Sequence, residues 1–298
     1  LVCGKLKSLK KAISILEKLR VILSDIKIQH TIFALPFAVM SAFLAAEGMP
    51  DIRSLFWICM AMVGARSAAM AFNRIVDAKF DKTNPRTQNR ALPSGNVSVS
   101  QYWIFLVLSS IIFIIASGML NQLALMLSPV ALAIVFFYSF TKRFTSLSHF
   151  FLGIALSVAP VGAWVAIREE ISFTSLVLGA AVVFWLIGFD IIYSCQDVEN
   201  DQSSGLHSIP AKFGVRNALR LAAISHAIMI IFLLGLLFLP LLGTLYLVGV
   251  IAVAGLLIYE HSLVKWDDLS KVNVAFFNVN GWIGAALMAT VVVDCVWL

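Results

Sequence analysis

The sequence predicts an all-α, multi-pass membrane bundle of nine transmembrane helices. Composition, a series of apolar runs of span length and a one-sided distribution of basic residues predict it. The 298 residues are 60% apolar and 13% charged, with a mean hydropathy of +0.94. Soluble domains are roughly 45–50% apolar and about 25% charged. One soluble core could not hide this excess, whereas a bilayer accommodates it.

A membrane helix needs about 20 mostly apolar residues. Such runs fall near 28–46, 55–73, 101–119, 121–140, 148–167, 173–193, 218–239, 240–259 and 275–297. Pro36, Pro129 and Pro160 lie inside spans, which membrane helices tolerate when neighbours satisfy the freed carbonyls. The seventh and eighth runs are separated only at Leu239-Pro240. Residues 28–298 therefore read as one nine-helix membrane domain.

The charges orient it. With a cytoplasmic N-terminus, 19 of the 22 Lys and Arg residues fall on the inside. Only Arg53 and Arg168 fall outside, and Arg66 lies within a span. That asymmetry follows the positive-inside rule and predicts an inner-membrane protein with its N-terminus in and its C-terminus out. Residues 1–27 have no cleavage-site pattern of a signal peptide. Leu6, Leu9, Ile13 and Leu16 recur among lysines, which reads as a basic amphipathic arm on the anionic leaflet. The net charge of +6 forms no patch suited to nucleic acid. Cys3, Cys59, Cys195 and Cys295 show no disulfide or zinc spacing.

Two inside loops are chemically dense. The first begins at Asn73, Asp77 and Asp81 and runs through Arg86, Arg90 and Leu92-Pro93-Ser94-Gly95. The second carries Asp190, Tyr193, Asp197 and Asp201 and runs on to Lys212. At about 100° per residue, Arg66, Asn73, Asp77 and Asp81 make one polar stripe on a helix, and Asp190, Asp197 and Asp201 make another. Carboxylates at membrane depth face a bundle interior rather than lipid. Asp77 to Asp197 and Asp81 to Asp201 are each 120 residues apart, as in a parallel internal repeat. The competing reading is that each pair is only a solvated helix end. Facing carboxylates repel unless neutralised. With oxygen donors and no nearby His or Cys, a hard cation such as Mg²⁺ fits, shared with substrate phosphates. A third group, Tyr138 and Lys142, ends the fourth span; alone, it reads better as an interfacial anchor. His30, His149, His207, His226 and His261 share no spacing and read as interface or loop residues.

These motifs together resemble the UbiA superfamily of intramembrane aromatic prenyltransferases. They are NxxxDxxxD, R-x₃-R-x-LPSG, YxxxK, D-x₂-Y-x₂-QD-x₃-D and SIPAKFG. The second motif and the stretch Ala275–Gly281 are most similar to the 4-hydroxybenzoate polyprenyltransferase-like branch. One departure is Asn73-Arg74, where many members have Asn-Asp.

The resemblance implies a bundle around a central cavity open to the cytoplasm. It implies polyprenyl transfer from a polyprenyl diphosphate to an aromatic acid of the 4-hydroxybenzoate type in quinone biosynthesis. A naphthoate-type acceptor of the futalosine menaquinone route is the alternative. Two Mg²⁺ ions are expected, with Asp77, Asp81, Asp197 and Asp201 as ligands and Asp190 as a ligand, a supporting group or a base. Asn73, Tyr138, Lys142, Tyr193, Arg86, Arg90 and Lys212 are expected at the substrates. Arg66 is expected to hold the acceptor carboxylate, or else to pair with a motif aspartate. The rival classes are a secondary transporter, which also uses repeats and acidic residues, and a CDP-alcohol type phosphotransferase, whose single acidic motif is absent.

Overall fold

The computed structural model describes residues 16–26 and 33–297. Most of the arm at 1–27, and the start of the first predicted span at 28–46, lie outside the described residues. The described part of the arm is a helix, α1 (16–25). Its Leu16 is exposed, but Ile22 and Ile26 are buried against Ala71, Tyr102 and Leu106. The arm therefore docks on the bundle at its end as well as carrying charge.

The remaining helices are α2 (Leu35–Ala46), α3 (Ile52–Thr83), α4 (Val99–Leu120), α5 (Gln122–Thr141), α6 (Ser148–Arg168), α7 (Phe173–Ser194), α8 (Val198–Ser203), α9 (Ile209–Phe213), α10 (Val215–Gly235), α11 (Thr244–Leu263), α12 (Val272–Val274) and α13 (Asn280–Trp297). Among the described residues there is no strand, only an isolated bridge between Lys265 and Asp268. Among the described residues, eight helical segments are long and apolar enough to cross a membrane, so the chain is an integral, multi-pass membrane protein. The described part of the first predicted span, α2, has 12 residues. That is about 18 Å at 1.5 Å per residue, short of a bilayer core.

Local chemistry explains the boundaries. Asp51 caps α3 by accepting from the Arg53 and Ser54 amides, both at 3.0 Å. Ser98 and Gln101 form a capping box on α4. Pro36 sits in the first turn of α2, where its missing N–H is harmless. It is not mid-helix, as the predicted span had it. Pro129 lies inside α5 and frees the Leu125 carbonyl. The Ser128 hydroxyl donates to that carbonyl at 2.8 Å, the repair a lipid environment demands. The split at Leu239-Pro240 holds, since a 3₁₀ turn (Leu236–Phe238) ends α10 before α11 begins. Gly243, which has no capping side chain, precedes α11. Asp294 of α13 supplies the cap instead, accepting from the Gly243 and Tyr246 amides at 2.9 Å each.

Two features shape the site. α3 runs on past the apolar run to Thr83, so Arg66, Asn73, Asp77 and Asp81 share one helix, as the stripe predicts. The second stripe is not one regular helix: α7 ends at Ser194, a 3₁₀ turn covers Cys195–Asp197, and α8 follows. In the last span, Ala275–Val279 form a π-turn. Asn280 fastens it, donating to the Ala275 carbonyl at 3.1 Å and to Glu260 at 2.8 Å while accepting from the Trp185 indole at 2.7 Å. The main apolar core lies between α2, α7, α10, α11 and α13, around Phe37, Trp185, Met229, Tyr246 and Ile283.

Candidate active site

The inner face of α3 carries Asn73, Asp77 and Asp81 into a cavity of about 300 Å³. The end of α7 and the start of α8 bring Asp190, Tyr193, Asp197 and Asp201 to the same cavity, and the end of α5 brings Tyr138, Lys142 and Arg143. The loop after α3 folds back over it. Asn84 accepts from the Arg86 amide at 2.8 Å, and the Thr87 hydroxyl donates to the Asp81 carbonyl at 3.1 Å. These turns point Arg86 and Arg90 into the cavity. Asp81, Asp197 and Asp201 are buried and Asp77 is part-buried, unlike carboxylates on fully solvated helix ends.

Each of the four motif carboxylates meets a basic side chain. Arg86 forks onto Asp197, with Nε–Oδ1 at 2.9 Å and Nη2–Oδ2 at 2.6 Å, and also donates to the Tyr193 hydroxyl at 3.0 Å. Burial alone would lower the Arg86 pKa; its bonds to Asp197 carry it above the ordinary value. Arg90 Nη1 reaches both oxygens of Asp81 at 2.7 and 2.8 Å. Lys142 Nζ lies 3.7 Å from Asp201 Oδ2, and Arg143 Nη2 lies 3.4 Å from Asp77 Oδ1. Asn73 Nδ2 donates to Asp77 Oδ2 at 2.7 Å.

Deeper in the bundle, a second cavity of about 240 Å³ is lined by Arg66, Tyr138, Phe189, Asp190 and Phe276 among others. Tyr138, Asp190 and Phe276 line both cavities. Arg66 Nε is buried without a hydrogen-bond partner. Among the described residues no carboxylate pairs with Arg66, so the predicted alternative of a motif aspartate is not realised. Met62, Ala65, Val158 and Ala159 border both this cavity and an apolar one of about 310 Å³ between α3, α4, α5 and α6.

Lys212 does not join the site. It is exposed on α9, with its ammonium 5.3 Å from the Phe213 ring centroid. Arg74, read from sequence only as a lost ligand, turns out to be a buried anchor. It donates to Asp25 of α1 through Nε at 3.1 Å and to the Asp25 carbonyl through Nη2 at 3.0 Å. The Tyr102 hydroxyl and the Ala91 amide donate to the same carboxylate at 2.5 and 3.1 Å. Arg143 also escaped the sequence reading, although it follows Lys142 directly. His149 was set aside with the other histidines, yet its Nδ1 lies 2.6 Å from Asp190 Oδ2.

The residues present fit a hard cation shared with a phosphate ligand. The donors are carboxylate oxygens on two facing elements, and Asp201 Oδ2 is buried without a hydrogen bond. Among the described residues no three His, Cys, Asp or Glu side chains close a metal site unaided. Mg²⁺ commonly takes one or two carboxylates and completes its shell with water and substrate phosphates.

Comparison with known proteins decides the family. The model of the UbiA prenyltransferase family matches residues 34–282. The chain belongs to the UbiA prenyltransferase family. It is 32% identical over 254 residues to the 4-hydroxybenzoate octaprenyltransferase of Nitrosospira multiformis, covering 84% of this chain and 86% of that one. It is 34% identical over 257 residues to the protein of the same name from Aliivibrio salmonicida, covering 84% and 89%. The apo structure of a UbiA homolog from Aeropyrum pernix K1 superposes with a TM-score of 0.82 at 35% identity, covering 90% of this chain and 98% of that one. A UbiA homolog from Archaeoglobus fulgidus, solved bound to DMAPP and Mg²⁺, shares the fold at 18% identity with a TM-score of 0.69, covering 93% and 99%. The two acidic walls of the cavity, on α3 and on α7–α8, both lie within the matched residues.

Proposed function

We propose that this chain transfers a polyprenyl group from polyprenyl diphosphate to an aromatic acid of the 4-hydroxybenzoate type, in the assembly of a respiratory quinone. The observation that carries this reading is the cavity itself. Five carboxylates and five basic side chains line it, and it adjoins a deeper pocket that holds Arg66 and shares Asp190. A transporter needs no such mixed mouth, and the relatives named for 4-hydroxybenzoate favour the benzoate-type acceptor.

Asp77, Asp81, Asp197 and Asp201 are the proposed holders of two Mg²⁺ ions, which when bound neutralise the diphosphate's charge as it departs. Arg86, Arg90, Lys142 and Arg143 are then free to turn from the carboxylates to the phosphate oxygens, with Tyr138, Tyr193 and Asn73 completing the cradle. The allylic C–O bond breaks and its electron pair leaves with the diphosphate. The acceptor ring attacks the allylic carbon, and Asp190 takes the proton the ring releases. Arg66, with no internal partner at Nε, forks onto the acceptor carboxylate.

We further infer a cytoplasmic mouth, an N-terminus inside and a C-terminus outside in the inner membrane, from the one-sided basic loops. The first of the nine expected spans ends in α2, and residues 28–298 make one domain behind the arm at 1–27. The test is direct. Purified protein receives polyprenyl diphosphate, 4-hydroxybenzoate and Mg²⁺ in detergent, and the lipid extract is weighed by mass spectrometry. A prenylated hydroxybenzoate is expected; its absence with an active relative run in parallel rejects the reading.

A further inference from the structure

α6 and α7 approach closely at Gly153, where a side-chain carbon would lie 2.9 Å from the Val183 carbonyl. His149 lies one turn before Gly153, and Asp190 lies two turns beyond Val183 on the antiparallel neighbour. Both therefore stay on the facing surfaces of the two helices. His149 is fully buried. Its Nδ1 is 2.6 Å from Asp190 Oδ2. On the other edge of the ring, the Ile209 amide at the start of α9 donates to Nε2 at 3.4 Å. An amide N–H only donates, so Nε2 presents its lone pair and the ring hydrogen sits on Nδ1, facing the carboxylate. The segment that follows α8 thus selects the tautomer of a buried histidine that grips Asp190.

We infer that His149 is a positioning residue for Asp190. It occupies Oδ2 and so fixes the carboxylate plane, leaving the other oxygen to meet the acceptor at the junction of the two cavities. The inference rests on the proposed role of Asp190 as proton acceptor. The physical need for it is strict, because a misplacement of about 1 Å at a reacting group costs about 100-fold in rate.

The test compares His149→Asn with His149→Gln. The asparagine amide N–H takes the place of Nδ1 and still reaches Asp190. The glutamine amide takes the place of Nε2 and leaves Asp190 Oδ2 without a donor. With both substrates and Mg²⁺ saturating, His149→Gln is expected to lower kcat about 100-fold, with donor KM and Mg²⁺ half-saturation within about twofold of wild type. His149→Asn is expected to recover at least about tenfold of that loss. Both variants should bind a non-reactive prenyl diphosphate analogue as wild type does. Equal kcat for the two variants overturns the inference, and so does wild-type kcat in His149→Gln. Loss of analogue binding in both overturns it too, since His149 is then a general structural residue. Asp190→Asn separates the levels. If it keeps wild-type turnover, the role of Asp190 fails. If it is inactive while His149→Gln is not slowed, only the role of His149 fails.

Discussion

Arg86 and Asp197 are 111 residues apart in sequence and joined by two hydrogen bonds of 2.9 and 2.6 Å. This fork ties the loop after α3 to the turn between α7 and α8, closing the cavity between the two acidic motifs. Its geometry explains why the site holds together before any substrate arrives. Arginine neutralises a carboxylate that would otherwise repel its neighbours, and it can release that carboxylate when a cation and a diphosphate take over both charges.

Removing the cation should stop turnover. Carboxylates do not hold a diphosphate without a cation between the two. Product formation in excess EDTA is expected to fall to background and to return with added Mg²⁺. Full activity in EDTA would sink the assignment of Asp77, Asp81, Asp197 and Asp201.

Asp77→Ala and Asp197→Ala should each lower turnover at least about 100-fold, which is about 2.7 kcal/mol of barrier. Both variants should still insert and purify, since each loses only one wall of a solvent-reached cavity. Near wild-type rates in either would show that aspartate to be no more than a partner for its arginine.

Arg66→Lys should raise the acceptor KM far more than the donor KM. Lysine keeps the charge but loses the planar fork. Acceptor analogues lacking the carboxylate should be poor substrates for the wild type, and the variant should discriminate less between them and the acid. Titration of donor, acceptor and Mg²⁺ in turn separates the effects. An acceptor KM unchanged within about twofold removes the carboxylate-clamp role.

Asp25→Ala should destabilise the protein by about 3–5 kcal/mol, the usual cost of leaving one partner of a buried ion pair alone. Here the stranded group is Arg74, only 4% exposed, and Tyr102 and the Ala91 amide lose their acceptor as well. Thermal unfolding in detergent reads the loss. An unchanged Tm would show that α1 is not an anchored part of the bundle.

Much of this was legible in the chain because lipid imposes simple rules. A span must be about 20 apolar residues long, so the helices from α3 onward announce themselves, including the break at Leu239-Pro240. Helical spacing of charges in an apolar run is equally plain. Arg66, Asn73, Asp77 and Asp81 share a face of α3, and Asp190, Asp197 and Asp201 reach the same cavity although the helix between them is broken. What the chain alone did not decide is which residues meet across helices. Lys212 sits in a basic loop like Arg86 and Arg90, yet α9 carries it to the surface. Arg74 breaks a motif and gains a buried partner on α1. His149 has no motif at all. It reaches Asp190 because Gly153 lets α6 and α7 pack backbone to backbone. Periodicity fixes the face a residue occupies on its own helix, whereas its partner depends on how neighbouring helices pack, and that is set by side-chain volumes at contacts far apart in sequence.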